Sequence, residues 1–256
     1  MLGYPDQALN RSDEAQSIAK RVGNLYTQSR ALYWDSLVRQ FTGQWDVLRE
    51  RIEVAISMAT EHGFALVLAV GPIMRGWALV TDGKTEEGIQ QISQGLERYR
   101  ATGTGFQLPH LLTALIEANK KIEQPEEALT VLAEAQALVE KTGERYFEAE
   151  LQRLKGELLL IQFPDDPPEA EACFHKALEI ARRQYAKSLE LRAATSLARL
   201  WKRRGKEVDA YRLLKDILDW FTEGFDTEDH RDAQALLNEL DGTKQGRIKR
   251  VRAAKN

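Results

Sequence analysis

Residues 143–184, GERYFEAELQRLKGELLLIQFPDDPPEAEACFHKALEIARRQ, read as two helices folded back on each other. In the first half, Leu151, Leu154, Leu158 and Ile161 recur at helical spacing. In the second half, Ala170, Cys173, Phe174, Ala177, Leu178 and Ala181 share one stripe. The intervening FPDDPP cannot continue a helix, because proline lacks the N–H and clashes with the preceding turn. Pro167 suits a first helical position with Asp166 as its N-cap. Gly156, Ala170 and Ala177 are small where two helices must approach closely.

The pattern repeats along the chain. Small or apolar residues equivalent to Ala170 fall at Ala8, Leu48, Gly88, Ala128 and Ala210, at intervals of 40, 40, 40, 42 and 40. Seven residues further on stand Ala15, Ala55, Gly95, Ala135, Ala177 and Ile217. The inter-helix turn falls at Gly3, Gly43, Gly83, Glu123, Asp165 and Gly205. The helix terminator falls at Gly23, Gly63, Gly103, Gly143, Tyr185 and Phe225, where glycine is the expected left-handed residue. A helical hairpin that cannot bury its apolar face alone stacks on its neighbours, which is the organisation of tetratricopeptide repeats. Those units have about 34 residues. The longer period predicts helices of roughly 16–19 residues, about 24–28 Å long.

The expected fold is therefore all-α, a right-handed superhelical solenoid of antiparallel helix pairs. Residues 1–240 form one solenoid: a half repeat over 1–23, repeats over 24–63, 64–103, 104–143, 144–185 and 186–225, and a capping helix over 227–240. Residues 241–256, GTKQGRIKRVRAAKN after Asp241, are expected as a basic disordered tail. The half repeat lacks its first helix, leaving Tyr4, Leu9 and Ile18 without an N-terminal neighbour. This predicts either a piece of a longer protein or association through an uncapped end.

The composition sets bounds on function. The 256 residues are 43% hydrophobic and 29% charged, enough for a sizeable core, and the net charge of −3 with interspersed signs favours neither nucleic acid nor a membrane surface. The single cysteine, Cys173, excludes an internal disulfide and fits a cytoplasmic protein. The most apolar run, residues 64–74, is too short to span a bilayer. Gly83-Lys84-Thr85 echoes the end of a phosphate loop, but Ala78 stands where the motif requires glycine and the segment before it is helical, so it reads as a turn. His62, His110, His175 and His230 lack metal-ligand spacing. Acidic pairs such as Glu86-Glu87 and Glu126-Glu127 complement first helical turns. No catalytic, cofactor-binding or metal residues are expected, and the chain reads as a non-enzyme.

The remaining candidate is a surface. In such stacks the first helix of each pair lines the concave groove, and the phase places Arg30, Tyr33, Leu37, Ile73, Trp77, His110, Thr113, Glu117, Glu150, Arg153, Glu157, Arg192, Thr195, Arg199 and Lys202 there. Tyr33, Trp77, Glu117, Arg153, Arg192, Arg199 and Lys202 are the candidate contacts, since aromatics and arginines dominate binding hot spots.

The blocks RGWALVTDGKTEEGIQQISQGLERYRATG (75–103), EALTVLAEAQALVEKTGERYFEAELQRLKGELLL (127–160), AEACFHKALEIARRQYAKSLELRAATSLARLWKRRGK (170–206) and DWFTEGFDTEDHRDAQALLNEL (219–240) resemble the tetratricopeptide-like arm of bacterial multidomain signalling ATPases. That group includes predicted ATPase and adenylate/guanylate cyclase fusions; more loosely, the blocks resemble the arms of maltose-activator-type transcription regulators. The resemblance covers residues 3–240. It implies a protein-interaction or sensing arm, with a protein or peptide in the groove and an ATPase or cyclase domain of the parent as a further partner. A small-molecule inducer-sensing domain and a self-associating structural fragment are the alternatives.

Overall fold

The computed structural model describes residues 1–163 and 167–253, with side chains described for 1–163 and 167–242. Twelve α-helices and no strand are found among the described residues. They are α1 (Pro5–Val22), α2 (Leu25–Thr42), α3 (Trp45–His62), α4 (Ala65–Thr81), α5 (Thr85–Ala101), α6 (Leu108–Lys121), α7 (Pro125–Thr142), α8 (Glu148–Gln162), α9 (Pro168–Arg183), α10 (Lys187–Arg203), α11 (Glu207–Leu218) and α12 (Glu228–Ala253). Each even-numbered helix from α2 to α10 packs on the odd helix that follows it, and α2, α4, α6, α8, α10 and α12 touch one another in series. The fold is thus a tetratricopeptide-like solenoid with the even helices on its inner wall.

Turn chemistry explains why the period holds. Gly3, Gly23, Gly43, Gly63, Gly83, Gly103, Gly143 and Gly205 all have φ between 71° and 94°, the left-handed region that ends helices. Two positions in the same phase that lack glycine adopt the same conformation: Glu123 at φ 55° and Tyr185 at φ 54°. In the last unit the left-handed residue is Gly224, one position before the expected Phe225. Gly83-Lys84-Thr85 is such a turn, with Lys84 preceding the first residue of α5.

The small residues set helix separation. A Cβ on Gly156 would lie 2.6 Å from the Phe174 ring, and one on Gly95 would lie 2.5 Å from Ile73 Cγ1 and 2.9 Å from the Ala69 carbonyl. Ala170 and Ala177 are fully buried in the same seam between α8 and α9. One continuous core runs from α2 to α8, and a second spans α9 to α12.

Three expectations are revised. Pro168, not Pro167, takes the first helical position of α9, so the entry to that helix is shifted by one residue; Asp166 lies outside the described residues. The capping helix does not stop at 240 but continues to Ala253. The basic tail expected over 241–256 is therefore helical in backbone as far as Ala253, and its lysine and arginine side chains lie outside the described residues. Tyr4 is not without a neighbour. The superhelix curls until α1 reaches the last unit, where the Tyr4 ring packs on Trp220 at 5.5 Å. Leu9 is half-buried, and Ile18 stays exposed as expected.

Candidate functional site

Curling brings the inner helices around a central cavity of about 370 Å³. Its wall combines Phe41 of α2, Trp77 of α4, Lys120 and Lys121 of α6, Arg153 and Glu157 of α8, Arg192, Ser196 and Arg199 of α10, and Glu228, Asp229 and Asp232 of α12. These side chains recur on the inner face of every unit because one unit presents its first helix inward.

An ion network forms one side of the cavity. Arg153, nearly fully buried, binds Glu150 with both arms of its fork, Nη2 to Oε1 at 2.6 Å and Nε to Oε2 at 2.9 Å. It also reaches Glu117 at 3.3 Å and pairs with Glu157. Lys120 donates to Glu157 at 2.7 Å, and the Ser196 hydroxyl donates to the same carboxylate at 2.8 Å. Arg192 bridges Glu150 at 3.1 Å to Asp229 at 3.5 Å. Burial alone would raise the carboxyl pKa values of Glu150 and Glu157, but the cations around them hold both below the usual range. Asp229 pairs with the Arg192 guanidinium, but burial, with the neighbouring Glu150 adding to it, outweighs the attraction of Arg192 and Arg153 and raises its pKa to about 6.

Phe41 and Trp77 give the wall an aromatic side, and a buried ring cluster that does not itself line the cavity lies behind them. The fully buried His110 ring lies 4.5 Å from Phe147, 5.3 Å from Phe41 and 5.7 Å from Trp77. Neither of its ring nitrogens has a hydrogen-bond partner, and desolvation lowers its pKa to about 4, so it is neutral near pH 7. Phe41 and Phe147, from α2 and the approach to α8, meet at 5.9 Å across the curl.

Of the seven expected contacts, Trp77, Glu117, Arg153, Arg192 and Arg199 line this cavity. Tyr33 does not: it is buried behind the wall, where its hydroxyl donates to Gln107 Oε1 at 2.9 Å, and it borders a separate cavity of about 390 Å³ with Trp34, Tyr99 and Phe106. Lys202 lies outside the cavity and pairs with Glu239 of α12. Leu37 and Ile73, placed on the groove by phase, are core residues. Sequence reasoning missed Phe41, Lys121 and Asp229. Phe41 and Lys121 sit in the last turn of their helices, beyond the stripe that the phase defines. Asp229 reads as an ordinary acidic residue in the first turn of a capping helix, and nothing local signals that this turn faces Arg192.

Among the described residues, no group of three or more His, Cys, Asp and Glu side chains could hold a metal ion, and no helix is long and apolar enough to cross a membrane. No family model matches the sequence, and no curated protein is similar to it. Solved structures are similar in fold. A Rap protein complexed with Competence and Sporulation Factor superposes with a TM-score of 0.63 at 14% identity, covering 94% of this chain and 71% of that one. The apo form of RapI gives 0.58 at 13% identity, covering 84% and 77%. BtubC from P. vanneervenii gives 0.56 at 14% identity, covering 98% and 92%. At these identities the similarity defines the class, a tetratricopeptide-like helical-repeat scaffold.

Proposed function

We propose that this chain is a non-catalytic binding module that takes a short peptide segment in its central cavity. The observation that carries the reading is the wall itself: cations and carboxylates from several inner helices, beside an aromatic surface, around about 370 Å³. Opposite charges at separate points suit a chain with its own amide dipoles and termini, and the aromatic side suits an apolar side chain. A similar fold complexed with a factor, the Rap structure, supports ligand binding by this kind of stack. Tyr33 and Lys202 remain candidate contacts only for a partner extending beyond the cavity.

In the resemblance to signalling ATPase arms, the same module restrains or releases a parent ATPase or cyclase domain in the cytoplasm. A second reading, an inducer-sensing domain for a small molecule, is favoured by the moderate cavity size.

The test is a thermal-shift screen of the purified chain against pooled short peptides and a small-metabolite panel, since a ligand of the folded state raises Tm by mass action. A peptide hit whose shift is lost in Lys121→Glu and Arg199→Glu is expected. Hits confined to metabolites favour the second reading, and hits unaffected by both variants place binding elsewhere and refute the cavity.

A further inference from the structure

The inner cavity is not the only concave surface. On the outside of the first unit, α1 and α2 form an open apolar groove of about 570 Å³. The chain contains a copy of this groove in which the occupant is visible. Adding 40 to Ser12, Ala15, Ala19, Ala31, Trp34 and Val38 gives Ile52, Ala55, Ala59, Gly71, Met74 and Ala78, the surface of α3 and α4. Every one of those six is buried. A helix, α2, packs on both α3 and α4, and its Ser29 hydroxyl donates to the Ala55 carbonyl at 3.4 Å. In the first unit, by contrast, Ala15 is exposed and Trp34 is 39% exposed.

The spacing of a polar contact between the two helices repeats as well, though its charges do not. Asp35 of α2 faces Arg51 of α3 at 3.5 Å, and Arg75 of α4 donates to Gln91 of α5 at 2.8 Å, both sixteen residues apart in sequence. The position corresponding to Arg51 in α1 is Arg11, whose side chain is 82% exposed and, among the described residues, is bonded along its own helix to Glu14. A helix in the groove would set its counterpart of Asp35 against Arg11.

From this register we infer that the α1–α2 groove docks an amphipathic helix of a partner polypeptide, lying antiparallel to α1 with an acidic side chain against Arg11. Residues 1–4 do not fill it. They run toward the last unit, where the Met1 carbonyl accepts from the Ser188 N–H and Gly3 lies against Trp220 and Lys187. This surface is distinct from the cavity and its ligand.

The probe is a labelled synthetic peptide of residues 24–43, the helix that fills the equivalent groove, titrated into the full chain by fluorescence anisotropy. Saturable one-to-one binding is expected. It should be lost in Ala15→Arg, which blocks the groove floor on an exposed face and is checked for unchanged helicity. Arg11→Glu should weaken it about fivefold, as for a partly exposed ion pair, and a peptide carrying Asp35→Arg should recover most of that loss. Absence of saturable binding, or equal affinity for wild type and Ala15→Arg, overturns the proposal. Concentration-dependent self-association in sedimentation that Ala15→Arg abolishes also overturns it, by assigning the groove to a second copy.

Discussion

The Tyr4 ring rests on the Trp220 indole at 5.5 Å and an interplanar angle of 59°, joining the two ends of the solenoid. Around this pair, the Gln7 amide donates to Glu223 at 2.9 Å, the Gly224 N–H donates to Asp6 at 3.2 Å, and the Trp45 indole N–H donates to Glu228 at 3.3 Å. The seam combines this aromatic pair and polar bonds with the packing of Met1 and Phe41 on the Phe147 cluster.

Trp220→Ala should loosen the seam. The loss of the ring pair is expected to cost about 0.5–1.5 kcal/mol beyond the lost burial. Spin labels at Asn10 and Arg212 should report a broadened, longer distance distribution with helicity by circular dichroism unchanged.

Between about pH 5 and 6 two buried groups pull stability in opposite directions, while below that range protonation of Glu150 and Glu157, both held low in the fold, adds a further loss. His110 has its pKa lowered in the fold, so below pH 6.5 the unfolded chain binds the extra proton and stability falls as pH drops toward about 4. Asp229 has its pKa raised, so between 3.8 and about 6 the folded chain holds the extra proton and stability falls as pH rises. Asp229→Asn should leave a Tm that climbs with pH between about pH 5 and 6. His110→Phe, which keeps the ring among Phe41, Trp77 and Phe147, should leave one that declines.

Arg153→Met should be severe. It leaves Glu150 and Glu157 buried beside fewer cations, and breaking a buried network from one side costs about 3–5 kcal/mol. Urea denaturation should show the midpoint falling at neutral pH and partly recovering in Arg153→Met with Glu150→Gln, because the stranded charge is then removed.

Glycines of two kinds should respond differently. Gly95→Ala pushes a methyl into Ile73 and the Ala69 carbonyl and should cost about 1–3 kcal/mol through overpacking. Gly143→Ala meets nothing within 4 Å and should cost about 1 kcal/mol from its φ of 73° alone. Conversely Glu123→Gly, at φ 55°, should stabilise by about 0.5–1 kcal/mol. Equal effects for Gly95 and Gly143 in chemical denaturation would refute the distinction between packing and backbone strain.

The repeat was legible because its markers act locally. A left-handed residue ends a helix within a turn, and a small residue permits approach to the helix immediately following, so 40-residue spacing alone revealed the unit, the helices and their alternation. Trp45–His62 and Pro125–Thr142 each end directly before the glycine terminator expected at 63 and 143. At Glu123 and Tyr185 the phase prevailed over residue preference, because packing on both sides leaves the chain one way to turn.

What sequence by itself determined is thus the unit and the order of stacking. Only the tertiary structure decided the curvature, which is the sum of small rotations between units and has no local marker. Curvature in turn decided that Phe41 meets Phe147, that Arg192 meets Asp229, and that Tyr33 turns away to Gln107. The same residues on a straighter stack would form an open charged groove; the curl encloses them, and enclosure turns a solvated face into a buried network around a cavity.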